Sequence, residues 1–191
     1  MSITLPIQRH LIVSGIPASG KSTIGYRVAE ACGLPVLDKD EILESMFEDL
    51  GIGDASRRSR LSRAADEILR QKALQSGGAV IISWWRHPLS PLASGTSVEW
   101  LASLPGIAVE LHCVCRPKIA AERFILRKRH SGHLDHLKTF DELILSFEQQ
   151  ADLGALNVTE SVITVNTEQN IDLKDIIEQI NSAALKSAKS D

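Results

Sequence analysis

One eight-residue segment constrains the fold of this chain more than any other feature. Gly15–Ser22 reads GIPASGKS and matches the pattern G-x-x-x-x-G-K-[ST] at every fixed position. A short apolar run precedes it, and a stretch with helical spacing, Ser22–Cys32, follows it. Glycines let such a loop curl so that its amide N–H groups point inward, and the helix start adds positive partial charge. The segment therefore predicts a strand–loop–helix unit that binds the phosphates of a nucleoside triphosphate.

The polar positions of this phosphate loop have separate expected roles. Lys21 supplies a positive charge to the β- and γ-phosphates, and Ser22 offers a hydroxyl to Mg²⁺. ATP is favoured over GTP, because the sequence has no Asn-Lys-x-Asp segment to read guanine and no Asp-x-x-Gly switch. The predicted nucleotide-binding positions of the loop are Gly15, Pro17, Ala18, Ser19, Gly20, Lys21, Ser22 and Thr23.

The rest of the chain alternates short apolar runs with longer amphipathic stretches. Strands that are apolar throughout, each followed by a helix, indicate a parallel sheet covered on both faces. We therefore predict one α/β domain over residues 1–191, with three α/β/α layers around a five-stranded parallel sheet. The predicted strands are 11–14, 35–38, 79–82, 107–115 and 162–165; the predicted helices are 22–32, 41–50, one between Asp54 and Gly77, 117–129, 139–151 and 172–185, with 185–191 expected to fray.

Two aspartates follow the second predicted strand, in the segment Asp38-Lys39-Asp40. Ligands of open parallel sheets bind beyond the carboxyl ends of the strands, so both carboxylates should lie beside the phosphate loop. We predict that Asp38 helps to hold Mg²⁺ and that one of the two accepts the proton of an attacking hydroxyl, Asp40 being also an acceptor-binding residue. The alternative is that Asp40 only caps the helix that starts near Glu41.

Composition excludes several classes of partner. The formal net charge of −3 is not that of a general nucleic-acid binder, and no apolar run is long enough to span a bilayer. Three cysteines, Cys32, Cys113 and Cys115, show no disulfide spacing, so we predict reduced thiols and a cytoplasmic protein. The oligomeric state is not readable from the sequence.

The phosphate loop, the segment VLDKDEI at 36–42 and the helix predicted at 117–129 together resemble the P-loop small-molecule kinases. These share the nucleoside-monophosphate-kinase fold and include shikimate kinase, gluconate kinase, chloramphenicol phosphotransferase and the zeta-toxin kinases. The resemblance implies a P-loop NTPase domain with a short lid, here residues 128–138. It also implies ATP and Mg²⁺ as cofactors and a small molecule with a hydroxyl group as the phosphoryl acceptor.

The same resemblance implies roles for further residues. The helix after the fourth strand would carry Arg123, which contacts ATP, and Arg127, which acts in catalysis beside Lys21 and the two aspartates. The segment Asn166-Thr167-Glu168, after the fifth strand, would lie where backbone groups meet the adenine edge, with Asn166 as the residue assigned to ATP binding. The sequence departs from the family at Ser83, where many members have an acid or a glycine-rich turn after the third strand.

The acceptor is expected to bind near the helices at 39–76 and the end of the third strand. An arginine-rich turn there contains Arg57, Arg58, Arg60 and Arg63. The predicted acceptor residues are Arg57 and Arg60 of this turn, with Trp84 and Arg86. An anionic acceptor would use these arginines, although a solvated helix face is an equal interpretation. Only one of the adjacent tryptophans Trp84 and Trp85 should line the pocket, because neighbouring strand residues point in opposite directions.

Two other functions remain open at this point. One is a non-catalytic ATP sensor that signals to a protein through its lid, against which the paired aspartates argue. The other is a kinase of nucleotides or polynucleotide ends, against which the acidic balance argues.

Overall fold

The centre of the fold is one parallel sheet. The computed structural model describes residues 8–187. Its strands are β1 (Arg9–Ser14), β2 (Val36–Asp38), β3 (Gly78–Ile82), β4 (Ile107–Val114) and β5 (Ser161–Asn166). They pair in the order β2-β3-β1-β4-β5, and all four pairings are parallel. The predicted five-stranded parallel sheet is confirmed, and the carboxyl ends of its strands lie along one edge.

Six α-helices surround the sheet within the described residues. They are α1 (Lys21–Cys32), α2 (Lys39–Leu50), α3 (Ala55–Gln75), α4 (Pro117–Leu126), α5 (Phe140–Ala151) and α6 (Leu173–Ser187). Short 3-10 turns lie at Glu99–Ser103, Ser131–His133 and Asp135–Leu137. Across residues 8–187, no helix has both the length and the apolar character needed to cross a membrane.

Two apolar layers hold the helices to the sheet. Leu11 and Val13 of β1 pack with residues of α1 and α6 on one face. Ile12, between them, points to the opposite face and packs with Leu69 of α3 and with Leu101. The alternation follows from the two-residue repeat of a strand, and it confirms the three-layer α/β/α arrangement.

The helices near the carboxyl edge form two further apolar clusters. Leu43 and Phe47 of α2 pack against Leu61 of α3. Phe124 of α4 packs against Phe147 of α5, with the two rings 5.8 Å apart. These helix pairs form the two walls of the space above the phosphate loop.

Several predicted boundaries differ from the structure. Helix α2 begins at Lys39 because Asp38, not Asp40, is its capping residue and accepts a hydrogen bond from the Asp40 amide. Helix α4 ends at Leu126 rather than at residue 129, because Arg127 has extended backbone with φ −71° and ψ 143°. Helix α6 includes residues 185–187 of the tail expected to fray, and 188–191 lie outside the described residues.

A buried carboxylate ties the loop before β5 to the sheet. Glu110 of β4 is fully buried and accepts hydrogen bonds from the Ser14 hydroxyl at 2.5 Å and the Leu156 amide at 2.9 Å. The Asn157 amide donates to its other oxygen at 3.0 Å. The carboxylate therefore satisfies two amides of a loop that has no strand partner there, and it also orients the residue that precedes the phosphate loop.

We predict that Glu110→Gln lowers the free energy of unfolding by about 2 kcal/mol. One end of the glutamine carboxamide is a hydrogen-bond donor, and on either side it would face a donor of the surrounding loop. Urea denaturation monitored by circular dichroism measures the loss. Glu148→Gln, at an exposed position of α5, is the control, and equal stabilities for the two variants would contradict the prediction.

Candidate active site

The phosphate loop runs so close to β4 that its first glycine cannot be replaced. Gly15 has φ +130°, and a Cβ atom built there would lie 2.3 Å from the Cys113 carbonyl oxygen. Gly20, at φ +95°, lies against the Thr167 side chain. Ala18 also has a positive φ, 59°, and lines the cleft beside Pro17. The loop therefore has a fixed curl set by close backbone contacts.

The ammonium group of Lys21 lies inside this loop. It donates hydrogen bonds to the carbonyl oxygens of Gly15 at 2.9 Å and Ile16 at 2.8 Å. Burial lowers the pKa of Lys21 to about 8, because charge is costly where water is excluded. A bound polyphosphate would offset this cost, so the lysine is suited to an anionic ligand.

Several donors around Lys21 have no partner within the described chain. The amide N–H groups of residues 20–23 lie at the start of α1 and make no hydrogen bond within residues 8–187, as expected for the first turn of a helix. The hydroxyl of Ser19 is also buried and without a partner. A helix start with free amides beside a lysine is an anion-binding arrangement, so the loop fits a nucleotide's phosphates.

Ser22 and Asp38 meet across the cleft. The Ser22 hydroxyl donates to Asp38 Oδ2 at 3.2 Å, while Asp38 Oδ1 caps α2. Burial, with the charge of Asp40 adding to it, raises the pKa of Asp38 to about 6. Mg²⁺ prefers oxygen ligands, and a hydroxyl paired with a buried carboxylate fits this preference. These two residues would hold the ion, whose charge would offset that of the phosphates and of Asp38.

Asp40 lines the same cleft and forms an ion pair with Arg129. Its side chain remains half-exposed. Arg129 also approaches Asp135 at 3.4 Å, and Asp135 accepts a hydrogen bond from Arg127 at 3.0 Å. Four charged side chains thus form a chain of alternating sign from α2 to the lid segment, residues 128–138.

Arg123, predicted to contact ATP, and Arg127, predicted to act in catalysis, have different surroundings. Arg127 lies over the Phe124 ring at 4.1 Å, and burial lowers the pKa of its guanidinium. Arg123 donates to the hydroxyl of Thr167 at 3.0 Å and to its carbonyl at 2.9 Å. Helix α4 ends at Leu126, but the Arg127 amide still donates a hydrogen bond to the Arg123 carbonyl at 3.0 Å, and both arginines line the cleft.

The lid segment rests on α2. The His130 ring stacks on Phe47 with centroids 5.3 Å apart, and His133 Nε2 lies 2.7 Å from Glu44 Oε1. A Cβ atom at Gly132 would lie 2.4 Å from the Phe47 ring, so only glycine permits this contact. The helix that carries Asp40 therefore also supports the lid.

The adjacent tryptophans have separate environments. Trp84 is 42% exposed, lines the cleft and donates its indole N–H to Gln150 Oε1 at 2.9 Å. Trp85 is buried in the core and donates to the Val13 carbonyl at 2.9 Å. The expectation that only one of them faces the cleft matches this arrangement, with Trp84 as the exposed member.

The arginine-rich turn faces the cleft with different residues from those predicted. Arg57 bonds to the Leu50 carbonyl and Arg60 to the Ser56 hydroxyl, and neither lines the cleft. The turn lies within α3, so Arg58 and Arg63 are the members on the cleft side. Arg86 also lines the cleft, and its buried Nε has no partner within residues 8–187.

Two other positions change the predicted site. Asn166 does not line the cleft; its side-chain oxygen accepts a hydrogen bond from the Glu168 amide. The next residue, Thr167, lines the cleft instead and donates its hydroxyl to the Ser19 carbonyl at 2.7 Å. No sequence signal identifies Asp66 as a cleft residue, because its position depends on contacts between distant segments.

The cleft formed by these elements has a volume of about 1230 Å³. This exceeds the upper range of sites for one drug-sized ligand, about 1000 Å³. Within residues 8–187, no cluster of three or more histidine, cysteine, aspartate or glutamate side chains could hold a metal ion by itself. The predicted residues that the cleft brings together are Pro17, Ala18, Gly20, Lys21, Ser22, Thr23, Asp38, Asp40, Trp84, Arg86, Arg123 and Arg127.

Comparison with known proteins defines the family. The family model AAA_33, described as an AAA domain, matches residues 11–149, which is more than half of the chain. The chain belongs to the AAA_33 family. The matched part of this AAA_33 domain contains the phosphate loop, Asp38, Asp40, the cleft arginines and the lid segment.

The AAA_33 domain is also similar to individual kinases. A shikimate kinase from Corynebacterium glutamicum is 29% identical over 105 residues, covering 51% of this chain and 58% of that protein. The chain thus spans little more than half the length of that curated relative. The chain is also similar to the crystal structure of a candidate kinase from Chloroflexus aurantiacus, with 25% identity and a TM-score of 0.75. The match covers 93% of this chain and 99% of that structure.

A second solved structure supports the fold alone. The sugar kinase from Janibacter sp. is 22% identical, with a TM-score of 0.54 and coverage of 92% of this chain and 94% of its own. Together with the matched family, these findings confirm the resemblance to the P-loop small-molecule kinases and their α/β fold.

We predict that Asp38→Asn gains stability relative to the wild type as the pH rises from 4 to 7. The wild-type pKa of about 6 in the folded state lies above the ordinary value of 3.8. The protonated carboxyl therefore stabilises the folded state below pH 4, and this stabilisation is lost as the pH rises through 6. Asparagine does not titrate, so the free energy of unfolding of the variant relative to that of the wild type should rise by about 2 kcal/mol over this pH range.

Urea denaturation without Mg²⁺ at both pH values measures this change. Asp49→Asn, at an exposed position of the same helix, controls for loss of a carboxylate. A stability difference between Asp38→Asn and wild type that stays constant with pH would rule out the buried, uncompensated carboxylate.

Proposed function

We propose that the protein is an ATP- and Mg²⁺-dependent kinase that transfers the γ-phosphate to a hydroxyl group of a small molecule. The observation that carries this proposal is the position of Asp40. It lies at the carboxyl edge of the sheet, in the same cleft as Lys21 and the Ser22–Asp38 pair, with a half-exposed carboxylate. Nucleotide binding alone requires no such second carboxylate.

The nucleotide side of the cleft would bind the phosphates through the chain's own donors. The amides of residues 20–23 and the Lys21 ammonium are available to phosphate oxygens. Arg127 and Arg129 lie above them on the lid side, and guanidinium groups stabilise charge that develops on a transferring phosphoryl group. Ser22 and Asp38 would hold Mg²⁺, which supplies further positive charge at the phosphates.

The acceptor side would provide orientation and a proton acceptor. Asp40 would accept the proton of the acceptor hydroxyl while the oxygen of that hydroxyl bonds to the γ-phosphorus. The bond between the γ-phosphorus and the β,γ-bridging oxygen would break, releasing ADP. The cleft volume leaves room for this second substrate beside the nucleotide. Trp84, Arg58, Arg63 and Arg86 are the proposed walls of the acceptor subsite.

Partners and location follow as predictions from the same proposal. The partner is a small hydroxyl-bearing acceptor, and neither nucleic acid nor membrane is expected. The three cysteines are free, which agrees with the expected cytoplasmic setting. Asn166 is no longer proposed to contact adenine, and Thr167 takes its place.

We predict that Lys21→Ala abolishes phosphoryl transfer, whereas Asp40→Asn keeps ATP affinity within about threefold and lowers kcat by about a hundredfold or more. Asparagine keeps the shape of the side chain but cannot accept the proton. Coupled ADP-release assays over a panel of hydroxyl compounds measure transfer, and calorimetry with Mg²⁺ and an ATP analogue measures binding.

Asp49→Asn on the same helix is the control for the second variant. Unchanged turnover in Asp40→Asn would remove that residue from the mechanism. Tight ATP binding with slow hydrolysis, unaffected by every acceptor, would instead favour a nucleotide sensor or an ATPase.

A further inference from the structure

Another acidic side chain of the cleft, Asp66 of α3, has a supporting network that the mechanism above does not use. The Thr96 hydroxyl donates to Asp66 Oδ1 at 2.6 Å, and the Lys39 ammonium lies 2.7 Å from the same oxygen. Ser83 lies 2.6 Å from Thr96 Oγ1. Because Thr96 gives its single hydroxyl hydrogen to Asp66, Ser83 must donate to Thr96.

The network fixes which oxygen of Asp66 is available. Ser83 and Thr96 are buried at 4% and 1% exposure, so this side of the carboxylate is enclosed. Both donors reach Oδ1, and within residues 8–187 no group donates a hydrogen bond to Oδ2. Asp66 itself lines the cleft and is 28% exposed. One carboxylate oxygen is therefore held in place while the other remains open to a ligand.

The electrostatics of this site favour a neutral hydrogen-bond donor. Lys39 follows Asp38 directly and balances the charge of Asp66, while Arg58 and Arg63 add positive charge on the same side of the cleft. A cationic amine would be repelled by these groups. A hydroxyl group can donate to the carboxylate without adding charge.

We propose that Asp66 is a specificity-determining residue that binds a second hydroxyl group of the phosphoryl acceptor, apart from the one that reacts at Asp40. The inference rests on the proposed kinase function. It identifies the acceptor class as molecules with at least two hydroxyl groups.

Matched pairs of probes test the wild-type protein without any variant. D-gluconate is paired with 6-hydroxyhexanoate, which has the same chain length, carboxylate and terminal hydroxyl, and myo-inositol is paired with cyclohexanol. Binding is measured by saturation-transfer NMR with Mg²⁺ and β,γ-imido-ATP present, and transfer by ADP release with ATP. We expect at least one polyhydroxy compound to bind about tenfold more tightly than its monohydroxy partner.

The variant Asp66→Asn then assigns the effect to this residue. Its amide can still accept a hydrogen bond but lacks the charge, so the dissociation constant and the KM of the polyhydroxy compound should rise about 10- to 100-fold. The dissociation constant of β,γ-imido-ATP should stay unchanged. Glu67→Gln, at the next and exposed position of α3, is the matched control.

The outcomes separate this inference from the proposed function. Binding of a polyhydroxy compound that Asp66→Asn weakens, without transfer from ATP, supports Asp66 and overturns the kinase proposal. Transfer with no preference within the pairs, or equal KM values for Asp66→Asn and Glu67→Gln, overturns the role of Asp66 and leaves the kinase proposal standing. Failure of both polyhydroxy compounds to bind the wild type also overturns the role of Asp66.

Discussion

The buried ammonium group of Lys21 is the interaction on which the site depends. Two loop carbonyls bind it, yet burial still lowers its pKa to about 8, which means that the loop carries charge in a poorly solvated place. Asp38 presents the opposite case, a carboxylate whose pKa burial raises to about 6. Both groups cost stability in the free protein, and under the proposed function both would become favourable when phosphates and a divalent cation bind.

The sheet positions these charges through very close backbone contacts. Gly15 approaches the end of β4, Asp38 ends β2 and starts α2, and the Ser22 hydroxyl links the two loops at 3.2 Å. Beyond them, Asp40 and Arg129 connect α2 to the lid segment. The chemistry of the cleft is therefore distributed over segments that only the parallel sheet brings to a common edge.

Local patterns predicted the strands, most helices and the phosphate loop, because each depends on neighbouring residues alone. They could not predict that Arg57 and Arg60 face away from the cleft, since this depends on how α3 packs on α2. Arg127 was expected on a helix, but its contact with Asp135 accompanies an extended backbone. Asp66 and Glu110 act through partners tens of residues away, so no sequence spacing reveals them.

One threonine connects three parts of the nucleotide side. Thr167 receives two hydrogen bonds from Arg123 and donates to the carbonyl of Ser19. The segment after β5 and the turn that surrounds the phosphates thus share a single hydroxyl. In the proposed complex, the purine end and the charged end of the nucleotide would both depend on this hydroxyl, so their binding energies would not add when each half of the ligand is measured alone.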